Sequence, residues 1–300
     1  MPDHLPSFLT DKLSSQYSSE EYTSILKGFG SLRKTSFRRN SLTISQQDFE
    51  QMLADSEIPF TSLPWYDCGY VSDHESLQKV QKTSLYEKGY IYLQNPSSML
   101  PPIMLSPSPG QEILDMCAAP GSKTTELYNL SMGKANITAC EKDKIRGERL
   151  RFNLKRQNAS RVNVLIQDAR KLDDHLRFDR ILLDAPCSGT GTILTDQVKT
   201  YSSLSELLIN NSSKLQNSLL NKAASLLPKG GELIYSTCSL LNEENEAVVY
   251  PLIKKGVFEV VPHPELESYL PLLSTPIAGS ILVCPTEIYE GFFAVHLRKT

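Results

Sequence analysis

From Gln111 onward the chain alternates short apolar runs with longer amphipathic stretches, and no other feature restricts its possible folds so tightly. EILDM (112–116), NITACE (136–141), VNVLIQ (162–167), FDRILLD (178–184), ELIYS (232–236), VFEVV (257–261) and FFAVHL (292–297) read as strands. Helical patterns start near Lys123 and cover 144–157, 204–227 and 243–255. Pro228-Lys229-Gly230-Gly231 stops the third of these. Strands that are apolar throughout are buried on both faces, and a strand–helix repeat delivers them in parallel. The expected fold is α/β: a doubly wound, mostly parallel, Rossmann-like sheet.

The first hundred residues differ. Helical segments at 6–28 and 45–54, a strand at 34–40 and the Tyr-rich YEKGYIYLQNPSSM (86–99) suggest a small α+β appendage. SPSPG (106–110) breaks the chain, which divides the sequence into an appendage of 1–105 and a main domain of 106–300. No apolar run approaches the roughly 20 residues that span a bilayer, and the N-terminus lacks the features of a secretory signal. A cytoplasmic monomer without membrane contact is expected.

Six cysteines never form a C-x-x-C pair, and five histidines show no ligand spacing. That argues against a disulfide framework and against a metal site, and leaves any important cysteine to act as a thiol. The net charge of −3 does not suggest nucleic acid, but its distribution does. Eight Lys/Arg stand against two acidic residues between Lys142 and Arg161, and Arg33, Lys34, Arg38 and Arg39 cluster upstream. Such patches suit phosphate contacts, and equally suit solvated surface.

Chemistry concentrates where strands end. DMCAAPGSKT (115–124) joins the first strand of the main domain to its helix, where small residues admit close backbone approach and the helix offers free N–H groups. It is neither G-x-G-x-x-G nor a Walker loop. Glu141 ends the second strand, twenty positions after Gly121, and suits ribose hydroxyls; Asp168 ends the third and suits an adenine amino group. DAPCSGTG (184–191) and YSTCS (235–239) follow the next two strands, so that Cys187 and Cys238 face one crevice if those strands adjoin the first. Singly, each feature also reads as a tight turn, a solvated carboxylate or inert packing.

Together, DMCAAPGSKT, DAPCSGTG, YSTCSLLNEENE (235–246) and QNPSSMLP (94–101) resemble, in order, the signature motifs of the Sun (Fmu) family of RNA 5-methylcytosine methyltransferases. The resemblance runs from about Ser31 to the C-terminus, and GFFAVHLRK (291–299) is similar to the family's closing strand. It implies a class I methyltransferase fold, S-adenosyl-L-methionine as cofactor, and an RNA substrate, ribosomal or transfer. It also implies that the N-terminal appendage is an RRM-like RNA-binding fold, although LRKTSFRRN (32–40) and LPWYDCGYV (63–71) match less closely.

The family's chemistry explains two cysteines. A thiolate adds to carbon 6 of cytosine, carbon 5 becomes nucleophilic and accepts the methyl group, and a base then removes the carbon-5 proton. The DNA cytosine methyltransferase pattern would nominate Cys187 as nucleophile. The RNA pattern nominates Cys238, with Cys187 assisting release, and the full motif set favours it. By the same carry-over Asp184 stabilises the adduct near ring nitrogen 3, protonated if desolvated. Cys117, Ala118, Ala119, Pro120, Gly121, Ser122, Lys123, Glu141, Arg146, Asp168 and Asp184 form the cofactor pocket, and Lys123 also reaches the target nucleotide. Gly121-Ser122-Lys123 replaces the family's frequent Gly-Gly-Lys, and TILTDQVKT (192–200) lacks the arginine that many relatives carry there. The target cytosine must be unpaired or flipped out, with the tyrosines of 86–92 and the arginines of 33–39 as candidate RNA contacts. A non-catalytic RNA-binding ribosome-assembly factor on the same scaffold, or a small-molecule methyltransferase, are the competing readings.

Overall fold

A computed structural model of the protein describes residues 5–300. Twelve strands form two sheets: β1 Thr35–Arg39, β2 Thr61–Leu63, β3 Tyr66–Ser72 and β4 Ile91–Leu93 in the smaller, and β5 Glu112–Asp115, β6 Asn136–Cys140, β7 Asn163–Leu165, β8 Arg180–Asp184, β9 Glu232–Thr237, β10 Phe258–Val260, β11 Ile281–Val283 and β12 Phe292–Lys299 in the larger. The large sheet runs β10-β12-β9-β8-β5-β6-β7, with β11 paired to β12. β5 to β9 are mutually parallel, while β12 runs antiparallel to β9, β10 and β11. The expected Rossmann-like sheet is present. Its antiparallel edge includes β11, a three-residue strand with no periodicity of its own to read.

Alternation of side chains across β8 shows why the strands are apolar throughout. Ile181 and Leu183 enter one core with Leu114, Leu233 and Tyr235, while Leu182 enters the opposite core with Ile113, Ile137 and Ile234. The long helix Glu206–Leu226 covers the first face; Ser205 caps it by accepting from the Leu208 N–H at 3.1 Å. No helix among the described residues is long and apolar enough to cross a membrane.

The small sheet has the order β2-β3-β1-β4, all pairs antiparallel. With the helix Gln46–Asp55 after β1 and short helices Ser76–Gln81 and Ser84–Glu87 before β4, this is the βαββαβ plan of an RRM-like fold. Phe37, Phe49, Leu53 and Tyr70 form its own core.

Two expectations need correction. The segment 6–28 is not one helix: Ser7–Gln16 and Ser19–Phe29 are separated at Ser18, whose hydroxyl accepts from the Glu21 N–H while the Glu21 carboxylate accepts from the Ser18 N–H. Leu9, Leu13, Ile25 and Phe29 from these helices enter the core of the large sheet. The arginines of 33–39 do not form a surface patch: Arg38 is fully buried and Arg39 nearly so. Arg38 donates to Thr125 Oγ1 (2.9 Å), the Ser122 carbonyl and Gln94 Oε1, and lies 3.9 Å from Glu126. The face of the small sheet carrying Arg38 is thus packed on the helix Ser122–Leu130.

Candidate active site

All the loops singled out from the sequence meet at the carboxyl ends of β5 to β9, where ligands bind in open α/β sheets. After β5 the chain is held close to its neighbours: the Met116 N–H donates to the Leu182 carbonyl and the Ala118 N–H to the Cys140 carbonyl. The Ala119–Pro120 bond is cis. Gly121 then adopts φ 107° as N-cap of Ser122–Leu130, and a Cβ there would lie 2.9 Å from Leu150 Cδ1. Only glycine takes that backbone shape without strain.

Two small adjoining cavities open here and share Cys117. One is walled by Met116, Pro186 and Leu219 and rimmed by Glu141, Arg146 and Asp168. The other is lined by Ser98, Asp115, Ala118, Ala119, Pro120, Ser122, Lys123 and Asp184. Glu141, almost wholly buried, accepts from the Asp143 N–H at 2.9 Å, and its second oxygen is 3.6 Å from Arg146. Arg146 also donates to the Ala119 carbonyl at 2.8 Å, so it ties the second strand end to the first loop. Asp168 is held by two nitrogens of the Arg170 guanidinium, Nε and Nη2, and this hydrogen bonding holds its carboxyl below the usual range. Sequence reading had not anticipated that partner.

The second cavity is dominated by one ion pair. Lys123 Nζ donates to Asp184 Oδ2 and to Ser98 Oγ, each at 2.7 Å, and lies 5.4 Å from the Phe292 ring centroid. Burial alone would lower the lysine, but the charge and hydrogen bond of Asp184 leave it raised, so it stays an ammonium. Asp184 Oδ1 accepts from Ser236 Oγ at 2.8 Å. Both of its oxygens therefore accept in this arrangement. Asp115 lies deeper. Burial pushes its pKa up to about 7; Thr124 donates to one oxygen at 2.6 Å, and the other is buried without a partner.

The two cysteines are the central observation. Cys187, after β8, and Cys238, after β9, place their sulfurs 3.2 Å apart. Both thiols are free and partly exposed. The hydrogen bond to Cys238, followed by burial, raises the Cys187 thiol. A buried polar clamp sets this distance. Glu244 accepts from the Ser188 N–H at 2.7 Å and from the Ser188 hydroxyl, which anchors the Cys187 loop. Asn245 accepts from Thr237 and donates to the Ser239 carbonyl, which anchors the Cys238 loop. The Gly191 N–H donates to the Cys238 carbonyl at 2.9 Å and joins the loops directly.

Ser98, Ser236, Glu244 and Asn245 stood inside quoted motifs without a role. Only the register of β8 against β9, and the packing of Pro96–Leu105 on both, brings them to the site. Phe292, read only as strand, also reaches it.

S-adenosylmethionine suits these residues. Buried Glu141 and Asp115, the latter with an unpartnered oxygen, supply acceptors for hydroxyl and ammonium donors, and Met116, Pro186 and Leu219 supply an apolar wall. Sheet order and strand-end chemistry together define the class: Rossmann-like, S-adenosylmethionine-dependent methyltransferases. Residues 102–298 match the family model of the 16S rRNA methyltransferase RsmB/F and residues 5–96 that of the N-terminal domain of 16S rRNA methyltransferase RsmF; the chain belongs to this family. It is 34% identical over 280 residues to ribosomal RNA small subunit methyltransferase F of Shewanella sp. (strain MR-7), a match over 89% of this chain and 56% of that protein. The chain thus spans little more than half the length of that relative. A methyltransferase homolog protein from Pyrococcus horikoshii is 32% identical with a TM-score of 0.85, over 99% of this chain and 96% of that one. NSun6 from Pyrococcus horikoshii with SFG, at 23% identity and a TM-score of 0.85 over 98% of each chain, shares the fold.

Proposed function

We propose that this chain methylates carbon 5 of an unpaired cytosine in small-subunit ribosomal RNA, with Cys238 as covalent nucleophile. The observation that carries this reading is the pair of sulfurs 3.2 Å apart beside the Lys123–Asp184 ion pair. A single strand-end cysteine is usually packing; two in contact at the ligand end of a parallel sheet suit sequential roles on one substrate atom. The relatives' names supply the ribosomal substrate.

Cys238, the cysteine that the RNA-family motif pattern nominates, attacks carbon 6, with the Cys187 sulfur 3.2 Å away. Lys123 lies near enough to Cys238 for the two charges to interact. Ser98, Asp184 and Phe292 orient the Lys123 ammonium, and Asp184 with Lys123 is the source of hydrogen bonding or a proton at ring nitrogen 3. When bound along Glu141, Asp115, Cys117 and Asp168, S-adenosylmethionine supplies an electrophilic methyl group. Cys187, whose sulfur lies beside that of Cys238, then assists removal of the carbon-5 proton. Cys238 leaves by elimination. The divide near residue 105 belongs to the same proposal: the small-sheet unit and the catalytic body act as RNA-positioning and chemical parts.

Two variants test it. With labelled cofactor and unmodified ribosomal RNA, Cys238→Ala is expected to abolish incorporation at carbon 5 while cofactor affinity stays near wild type. Cys187→Ala is expected to accumulate a protein–RNA adduct that survives denaturing electrophoresis. Turnover retained by Cys238→Ala would reject the assignment. Wild-type protein that binds RNA but incorporates no label would favour the ribosome-assembly reading.

A further inference from the structure

The helix Lys144–Arg156 carries a surface that the chemistry above does not use. Eight Lys/Arg stand against two acidic residues from Lys142 to Arg161, in a chain of net charge −3. On the same helix Ile145 is 70% exposed and Phe152 64% exposed. Ile145, Arg149, Phe152 and Arg156 recur at helical spacing and so share one face, on which the one carboxylate, Glu148, is paired with Arg151 at 2.7 Å. The Arg156 guanidinium lies 5.8 Å from the Phe152 ring centroid and 4.5 Å from that of Tyr86. The column therefore continues off the helix onto the small unit.

Its other face is firmly held. Leu150 and Leu154 are buried, Arg146 and Asn153 donate to the Ala119 and Pro120 carbonyls, and Gln157 donates to the Gly89 and Ile91 carbonyls. The helix thus runs from the loop after β5 to the small unit, and the exposed column lies along it. An apolar protein partner would be met by a less charged face, and simple solubility requires no bare phenyl ring. Guanidinium groups interleaved with flat rings match single-stranded RNA, whose phosphates and bases alternate.

We propose that Ile145, Arg149, Phe152, Arg156 and Tyr86 form a platform that grips the unpaired RNA strand flanking the target base. Phe152 stacks on a base, Arg149 meets a phosphate, and the Arg156 guanidinium over the Tyr86 ring carries the platform onto the small unit. This rests on the reading of the chain as an RNA methyltransferase. It also relocates RNA contact from the small sheet's packed face to the neighbouring helix.

The test uses the full chain, a labelled unpaired oligoribonucleotide and a salt titration. Phe152→Ala is expected to weaken RNA binding roughly tenfold. Arg149→Gln is expected to reduce the slope of log affinity against log salt by about 0.7, one phosphate contact on a single strand. Both should raise KM for RNA and leave kcat at saturating RNA, and cofactor affinity, unchanged. Isotherms, slopes and KM indistinguishable from a wild type that does bind and methylate RNA would overturn the platform alone and leave the face to a protein partner. A wild type that neither binds nor methylates RNA would instead remove the reading on which it rests.

Discussion

Glu244 touches neither cavity, yet its replacement is expected to disturb the thiol pair. It is fully buried, and its two oxygens accept the Ser188 N–H and the Ser188 hydroxyl, holding the loop that bears Cys187. Hydrogen bonds to a charged group contribute roughly 1.5–3 kcal/mol each against about 1 kcal/mol for neutral ones. Burial raises the Glu244 carboxyl, which offsets part of that gain. In Glu244→Gln the amide oxygen can still accept from the Ser188 N–H, and the amide nitrogen can donate to the rotated Ser188 hydroxyl. Both bonds persist in neutral form, so the loss is about 1 kcal/mol. Glu244→Ala removes both, strands a buried backbone N–H and opens a cavity; about 2–4 kcal/mol is expected. Urea denaturation measures the two losses. The functional readout is the covalent RNA adduct, which should build up in the alanine variant as the Cys187 loop drifts from Cys238, and much less in the glutamine variant. Equal destabilisation by both substitutions, or an alanine variant with wild-type stability and no adduct, would refute the clamp. Sign follows from linkage: the native state keeps the Glu244 proton to higher pH than the unfolded chain, so this group makes stability fall as pH rises through that interval, and Gln should erase that component.

His296, buried and stacked on His263 with 2.8 Å between ring nitrogens, has its pKa pushed down to about 4, mainly by burial. The unfolded chain takes up this proton near pH 6.5, so stability is complete above that value. It should fall by about 3 kcal/mol as pH drops towards 4, and stability curves at pH 7 and 4.5 that differ no more than those of His296→Gln would exclude it. Gly121→Ala forces a left-handed φ on alanine and crowds the tip of Leu150; a loss of about 1–3 kcal/mol is expected, along with weaker cofactor binding by calorimetry.

The parallel half of the large sheet was legible because strands covered on both faces must be apolar at every position, as Ile181-Leu182-Leu183 shows. The loops were legible because small residues, acids and cysteines stand where those strands end. Pro96–Leu105 was not, since Pro101 and Pro102 read as helix breakers. The helix survives partly because Gln94 donates to the Ser98 carbonyl, which the missing Pro102 N–H leaves free. Arg38 misled for a related reason. A strand that alternates Phe37 with Arg38 reads as core against solvent, and nothing local announces that Gln94, Thr125 and Glu126 wait on the far side.

That buried guanidinium has a mechanical corollary. Any swing of the small unit away from the catalytic body would strip Arg38 of its partners together and strand a cation in a dry seam, a loss of several kcal/mol. The unit is therefore a fixed jaw rather than a tethered hand. On the proposed function, a strand seated against it would meet the sulfurs at a set span, so that nucleotide choice would become a matter of measured reach, and reshaping the seam would re-aim the chemistry along the strand.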